Sequence, residues 1–214
     1  MTFANAGNNH TMKKRNQTNM KFNHFALENE LFGGGSYGGS PYDSGSYDDA
    51  DIAPLIGGMF RAVADMGERP VVVVCFGTTA ISGDSLGPQV GSMLRDVYNV
   101  PAFVYGTEEH SVNGKNMNEW LTFIKAVHED ALFIAVDASL GSSNNVGQIL
   151  LRDDGVCPAA IKGKKTRFGD IGILAVVAES GDDPIMRLMA VSPVYVQKLA
   201  YKISILLKNA LLSD

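Results

Sequence analysis

Two aspartates stand where the sequence best supports chemistry. Asp84 lies in "GTTAISGDSLGP", a stretch of glycines and hydroxyls that follows the apolar run "VVVVCF", and Asp137 lies in "FIAVDAS", at the end of a second apolar run. A carboxylate at the end of a buried strand is costly to desolvate, so something must compensate it. Two carboxylates that converge cannot ionise independently: repulsion raises one pKa and lets that group keep a proton near neutral pH. One acid can then take a proton from water while the other protonates a leaving group, which is the chemistry of hydrolysis. The same pair could instead hold a divalent metal through hard oxygen ligands, with Asp170 in "RFGDIGI" as a third. Each acid also has a plainer reading. Asp137 could cap the next segment by accepting the N–H groups of Ser139 and Leu140, Asp84 could be the N-cap of the helix that Gly87 and Pro88 open, and Asp170 could be a surface-turn residue.

Around the acids, Thr78, Thr79 and Ser82, with the amides near Gly83, are candidates for orienting a substrate or stabilising a developing oxyanion. Thr107, Glu108, Glu109 and His110 follow a second strand, and Ser139 follows Asp137. Of these, Glu108 and Ser139 join the substrate-binding set, and His110 is the histidine closest to an expected strand end. His128 is expected on a solvated helix terminus. Other chemistries fit less well. The loop lacks a Gly-Lys-Ser/Thr ending and G-x-G-x-x-G spacing, and Asp84 would oppose a phosphate. No G-x-S-x-G elbow is present, and Cys75 falls inside a strand, where it reads as core.

Positioning such acids requires strands that end at one rim. Val71 to Phe76 is continuously apolar, as in a strand buried on both faces. Gly87 to Val97 has helical spacing, Ala102 to Thr107 reads as a strand, Asn116 to Val127 as an amphipathic helix, and Ala131 to Gly141 as another buried strand. Gly147 to Arg152 alternates like an edge strand, and Asp170 to Glu179 is solidly apolar again. A closing helix is expected over Pro184 to Leu212, broken near Pro193, which lacks the N–H that a helix interior needs. Ahead of all these, Asp51 to Gly67 carries apolar residues at helical spacing with Gly67 as C-cap. Trp120 and Phe123, one turn apart, are expected in the core. Strands alternating with helices specify an α/β fold, a mostly parallel sheet with helices on both faces, and ligands of such sheets bind beyond the carboxyl ends of the strands.

The 214 residues, 45% hydrophobic, suffice for one well-buried core, expected over 51–214. Residues 1–50, rich in Asn, Gly, Ser and Tyr, read as a flexible low-complexity arm, with Met12 and Met20 as alternative starts. A net charge of −5 argues against nucleic acid or an anionic membrane as partner. Two cysteines, Cys75 and Cys157, imply neither a disulfide framework nor a zinc site and fit a reducing, cytoplasmic setting. No secretion signal and no run of about 18 apolar residues is visible.

"CFGTTAISGDSLGPQVG", "VYGTEEHSVNGKNMNEWL", "FIAVDASLG" and "FGDIGILAVVAES" resemble the sporulation protein YyaC family, a group assigned a peptidase role by similarity. The resemblance runs in order from about Val71 to Leu207. "GDSLGP" and "VDAS" are further similar to the aspartate-bearing motifs of the spore germination protease and, more distantly, of the hydrogenase maturation endopeptidases. The resemblance implies a three-layer α/β/α sandwich, Asp84 and Asp137 as the catalytic pair, a protein or peptide substrate, and the forespore or spore as a setting. In the hydrogenase maturation enzymes the corresponding acids bind the substrate's nickel together with a histidine. No histidine follows His128 here, so that third position is missing or taken by Asp170. Ser85 departs from the alanine usual in the motif, and the region after Glu179 diverges. The other expectation on the same fold is a non-catalytic protein that uses the cleft or the arm to bind a partner.

Overall fold

The β-branched run forms β1 (Val71–Cys75), with four of its five residues buried. In this computed structural model residues 57–59, 61, 63, 64, 67–158 and 166–212 are described. The arm expected over 1–50 lies outside them. Of the helix expected from Asp51, the few residues described, 57–59, 61, 63 and 64, are helical.

After β1 the chain crosses through a single 3-10 turn (Gly83–Ser85) into α1 (Leu86–Ser92), which widens into a π-helical turn over Met93–Val97. It returns as β2 (Phe103–Tyr105), shorter than the sequence suggested because Gly106 turns out of the strand at φ 86°. Next come α2 (Met117–Val127), β3 (Leu132–Gly141), the edge strand β4 (Ile149–Arg152) and β5 (Ile171–Glu179). The closing helix is indeed two: α3 (Pro184–Met189) and α4 (Pro193–Leu212).

The five strands form one sheet in the order β2-β1-β3-β5-β4. β2, β1, β3 and β5 are mutually parallel, and β4 runs antiparallel at the edge beside β5. From β1 the chain moves first to one side, through α1 to β2, and then to the other side, through α2 to β3. This reversal makes the gap between the carboxyl ends of β1 and β3 the topological switch point, where open α/β sheets place their ligand crevice.

The helices lie on opposite faces accordingly. On one face Val72, Val74, Phe76 and Ala135 pack against Met117 and Ile124, with Trp120 and Leu121 partly buried beside them. On the other face α1 packs on β1 and against α4, whose Val196, Leu199, Ala200, Ile203, Leu206 and Leu207 are buried. The architecture is therefore a three-layer α/β/α sandwich. Two aromatic expectations are corrected here. Phe123 is 51% exposed, because it lies on the outer side of α2. His128 is buried, its ring within 2.8 Å of the Tyr105 hydroxyl, because the turn after α2 folds back under the sheet edge.

Candidate functional site

β1 and β3 stay in register up to the Cys75–Val136 pair, and the Phe76 N–H donates to the Val136 carbonyl at 2.8 Å. Beyond that point β1 leaves the sheet while β3 continues four residues past Asp137 to Gly141, alongside β5. Asp137 is thus the first residue of β3 facing the space that β1 vacates. It is not the last residue of its strand, and it does not cap the following segment. Its Oδ1 accepts the adjacent Ala138 N–H at 2.9 Å.

The departing β1 segment supplies Asp84. Gly77 adopts φ 136°, and a Cβ on it would collide with the Asp84 carbonyl, so only glycine lets the loop close back on itself there. The closure is tied by the Thr78 N–H, which donates to the Asp84 carbonyl at 3.0 Å. Asp84 sits inside the 3-10 turn, and Ser85, not Asp84, precedes α1; no side chain caps that helix.

Burial and charge act together on the pair. Asp137 is 8% exposed. Removal from water pushes its carboxyl well above the ordinary carboxylate range, the nearby Asp84 charge pushes it further in the same direction, and the Ala138 N–H only partly opposes them. Asp137 therefore holds a proton where an exposed aspartate would not. Cys75, by contrast, is fully buried in β1, and burial pushes its thiol up, which leaves it unsuited as a nucleophile.

Both acids line two adjoining cavities. The first, about 310 Å³, has walls from Phe76, Ile81, Val112, Met117, Ile185 and Leu188, with Thr78 and Lys115 as polar groups. The second, about 350 Å³, extends toward β5 and β4 and is lined by Ser139, Arg152, Cys157, Arg167 and Ser180, among others. The acids form the partition between an apolar chamber and a cationic one.

The remaining expected site residues divide. Thr78 and Ser139 line the cavities, although the Ser139 hydroxyl already donates to the Ala175 carbonyl at 3.3 Å. Thr79 and Glu108 are exposed and line neither cavity, nor do Glu109 and His110, which pair loosely with each other at 3.7 Å. Ser82 Oγ is buried without a hydrogen-bond partner among the described residues, away from both cavities. Gly83 serves packing: a Cβ there would come within 2.9 Å of the Leu188 side chain and carbonyl, so glycine is what lets α3 lie against the loop.

Asp170 is not part of the site. It precedes β5 at the amino end of the sheet, exposed, with its Oδ2 accepting the Phe133 N–H at 2.9 Å. Asp137 lies four positions further along β3 than Phe133, about 13 Å of strand. Among the described residues no three His, Cys, Asp or Glu side chains cluster as metal ligands, and Asp170 does not join Asp84 and Asp137 as a third. Sequence reasoning missed Lys115, Arg152 and Arg167, because the order of strands that brings β4 and its following loop beside β3 is not written in any local pattern.

Residues 45–205, which include both acids, match the family described as "Protein of unknown function (DUF1256)". The chain belongs to that family. Over 114 residues the chain is 38% identical to the Bacillus subtilis "Uncharacterized protein YyaC", covering 53% of this chain and 56% of that protein. The match thus spans about half the length of the curated relative. A solved structure, that of the NiFe hydrogenase maturation protease HycI from Thermococcus kodakarensis KOD1, superposes with a TM-score of 0.48 at 16% identity, over 71% of this chain and 99% of that one. No helix among the described residues is long and apolar enough to cross a membrane.

Proposed function

We propose that this member of the family is a hydrolase of peptide bonds in which Asp84 and Asp137 divide general base and general acid between them. The observation that carries the reading is that both acids line the same two cavities at the switch point, with Asp137 buried there and driven toward its protonated form by burial and by the charge of Asp84. Asp84, the better solvated of the two, takes a proton from water as the water oxygen bonds to the scissile carbonyl carbon. Asp137 delivers its proton to the amide nitrogen as the C–N bond breaks, and the proton held by Asp84 resets the pair. The apolar chamber gives one side of the scissile bond a place to bury a hydrophobic side chain.

A peptide substrate is favoured because both acids line both cavities, so that the chain on either side of a bond held between the acids would have a chamber to enter. The likeness of the "GDSLGP" and "VDAS" motifs to the germination protease supports the same substrate class and a sporulation setting.

The test is cleavage of a peptide library by the full chain, read by mass spectrometry, against Asp84→Asn and Asp137→Asn. Discrete cut sites made by the wild-type chain and lost in both variants are expected. Cutting that survives both substitutions overturns the mechanism. Saturable peptide binding without any cleavage by the wild-type chain leaves a partner-binding protein on the same fold.

A further inference from the structure

The second cavity has a charge pattern that hydrolysis alone does not call for. Arg152 ends β4 and pairs in register with Gly172, two residues before Leu174, which in turn pairs with Asp137. Side chains alternate along strands, so Arg152, Leu150, Leu174 and Asp137 share one face of the sheet. Two strand spacings of about 4.8 Å and a two-residue offset place the α-carbons of Arg152 and Asp137 on the order of 12 Å apart. A guanidinium reaching along that face into the cavity shared with Asp137 comes within roughly one to three residues of an extended chain bound at the acids.

Arg167 reaches the same cavity from the loop after β4. Its Nη1 is held by Asp154 Oδ1 at 2.9 Å, with the Gly155 carbonyl at 3.4 Å, so it is oriented and partly neutralised. Arg152 has no ion pair or side-chain hydrogen bond among the described residues, and the neighbouring Asp153 does not line the cavity. Among the described residues the cavity therefore presents one guanidinium without a direct hydrogen-bond or ion-pair partner and one tethered one, with the Ser180 hydroxyl-bearing side chain in the same lining. Planar guanidinium groups pair best with carboxylates, through two parallel N–H···O bonds.

We propose that this cavity binds a carboxylate of the substrate, with Arg152 as the principal contact and Arg167 as the second. The peptide bond hydrolysed then lies within a few residues of an acidic side chain or of the substrate's own C-terminus. The inference rests on the hydrolase reading for the position of the scissile bond. The carboxylate site itself stands on the cavity and can be tested separately.

Two experiments keep these apart. In the first, the Asp84→Asn chain is titrated with three fluorescent blocked hexapeptides of one Ala/Leu-based sequence: one with Glu and an amidated C-terminus, one with Gln and an amidated C-terminus, and one with Gln and a free C-terminal carboxylate. At least one carboxylate-bearing peptide is expected to bind about tenfold or more tightly than the neutral one. Which one does so distinguishes side chain from terminus. Adding Arg152→Gln should erase the difference while leaving the affinity of the neutral peptide unchanged, and Arg152→Lys, which keeps the charge but not the fork, should retain part of it. Equal binding of all three peptides, or a preference that survives Arg152→Gln combined with Arg167→Gln in a variant that melts like its parent, overturns the proposal. In the second, the cut sites of the wild-type chain should show Asp, Glu or a C-terminus within about three residues, and those of Arg152→Gln should not. Cleavage with no such enrichment overturns the carboxylate site and spares the hydrolase, whereas preferential binding without cleavage does the opposite.

Discussion

Asp137 and Asp170 lie along neighbouring strands of one sheet, yet they do opposite work. At the amino end, Asp170 is exposed and accepts the Phe133 N–H, tying the start of β5 to β3. Nearby, Arg69 donates to the Asp130 and Ala131 carbonyls at 2.8 and 2.6 Å, fastening the entry to β3 in the same way. These are satisfied groups in water, and their role is structural. At the carboxyl end, Asp137 is buried, accepts only the adjacent Ala138 N–H among described backbone donors, and faces the like charge of Asp84. It disfavours the folded state whenever it is ionised. Perturbed acids of this kind concentrate at functional sites, and the proposed hydrolase reading assigns Asp137 that role while Asp170 serves the fold.

That contrast can be broken at either end. The largest effect is expected on catalysis: Asp84→Asn or Asp137→Asn should lower peptide cleavage by about 10²- to 10⁴-fold, the range of a lost general acid or base, while Asp170→Asn leaves the rate within about twofold in the same assay. Next is the loop that carries Asp84. Gly83→Ala forces a methyl group against Leu188 and its carbonyl, and should cost about 1–3 kcal/mol in denaturant unfolding while reducing activity by displacing α3. A smaller effect is expected at the amino end, where Asp170→Ala should lose about 1 kcal/mol of stability, the usual worth of one hydrogen bond, at unchanged activity.

The pH dependence sharpens the same comparison. Because the folded pKa of Asp137 lies above its unfolded value, the folded state binds more protons between the two. Stability from this residue therefore falls as pH rises through that window. The penalty is absent below the ordinary carboxylate range and complete above the folded pKa. Asp137→Asn removes it, so the melting temperature of the variant should gain on that of the wild-type chain as pH rises from about 4. Parallel melting curves for wild type and Asp137→Asn across that range would contradict the assignment.

Much of this was legible in the residues themselves. Continuous apolar runs announced β1, β3 and β5, alternation announced the edge strand β4, and Pro193 marked the break between α3 and α4. Asp84 and Asp137 stood out because a charge beside a buried run demands an explanation. Asp170 was the weaker candidate, because it precedes its apolar run instead of following it, and the structure places it at the amino end of the sheet. Arg152 and Arg167 were invisible for a different reason: they reach the acids only because β5 and β4 are added beside β3, a consequence of strand order. Glu108 and Thr79 were plausible by chain position, but the loops that carry them turn outward.

The ionisation of Asp137 itself tests the central claim most directly. Carbonyl-detected NMR of the full chain, with side-chain carboxyls followed against pH, should show Asp137 titrating well above the ordinary aspartate range and moving down when Asp84 is replaced by Asn. An Asp137 that titrates like a solvent-exposed aspartate, or that is indifferent to Asp84, would contradict the coupled pair on which the hydrolase reading depends.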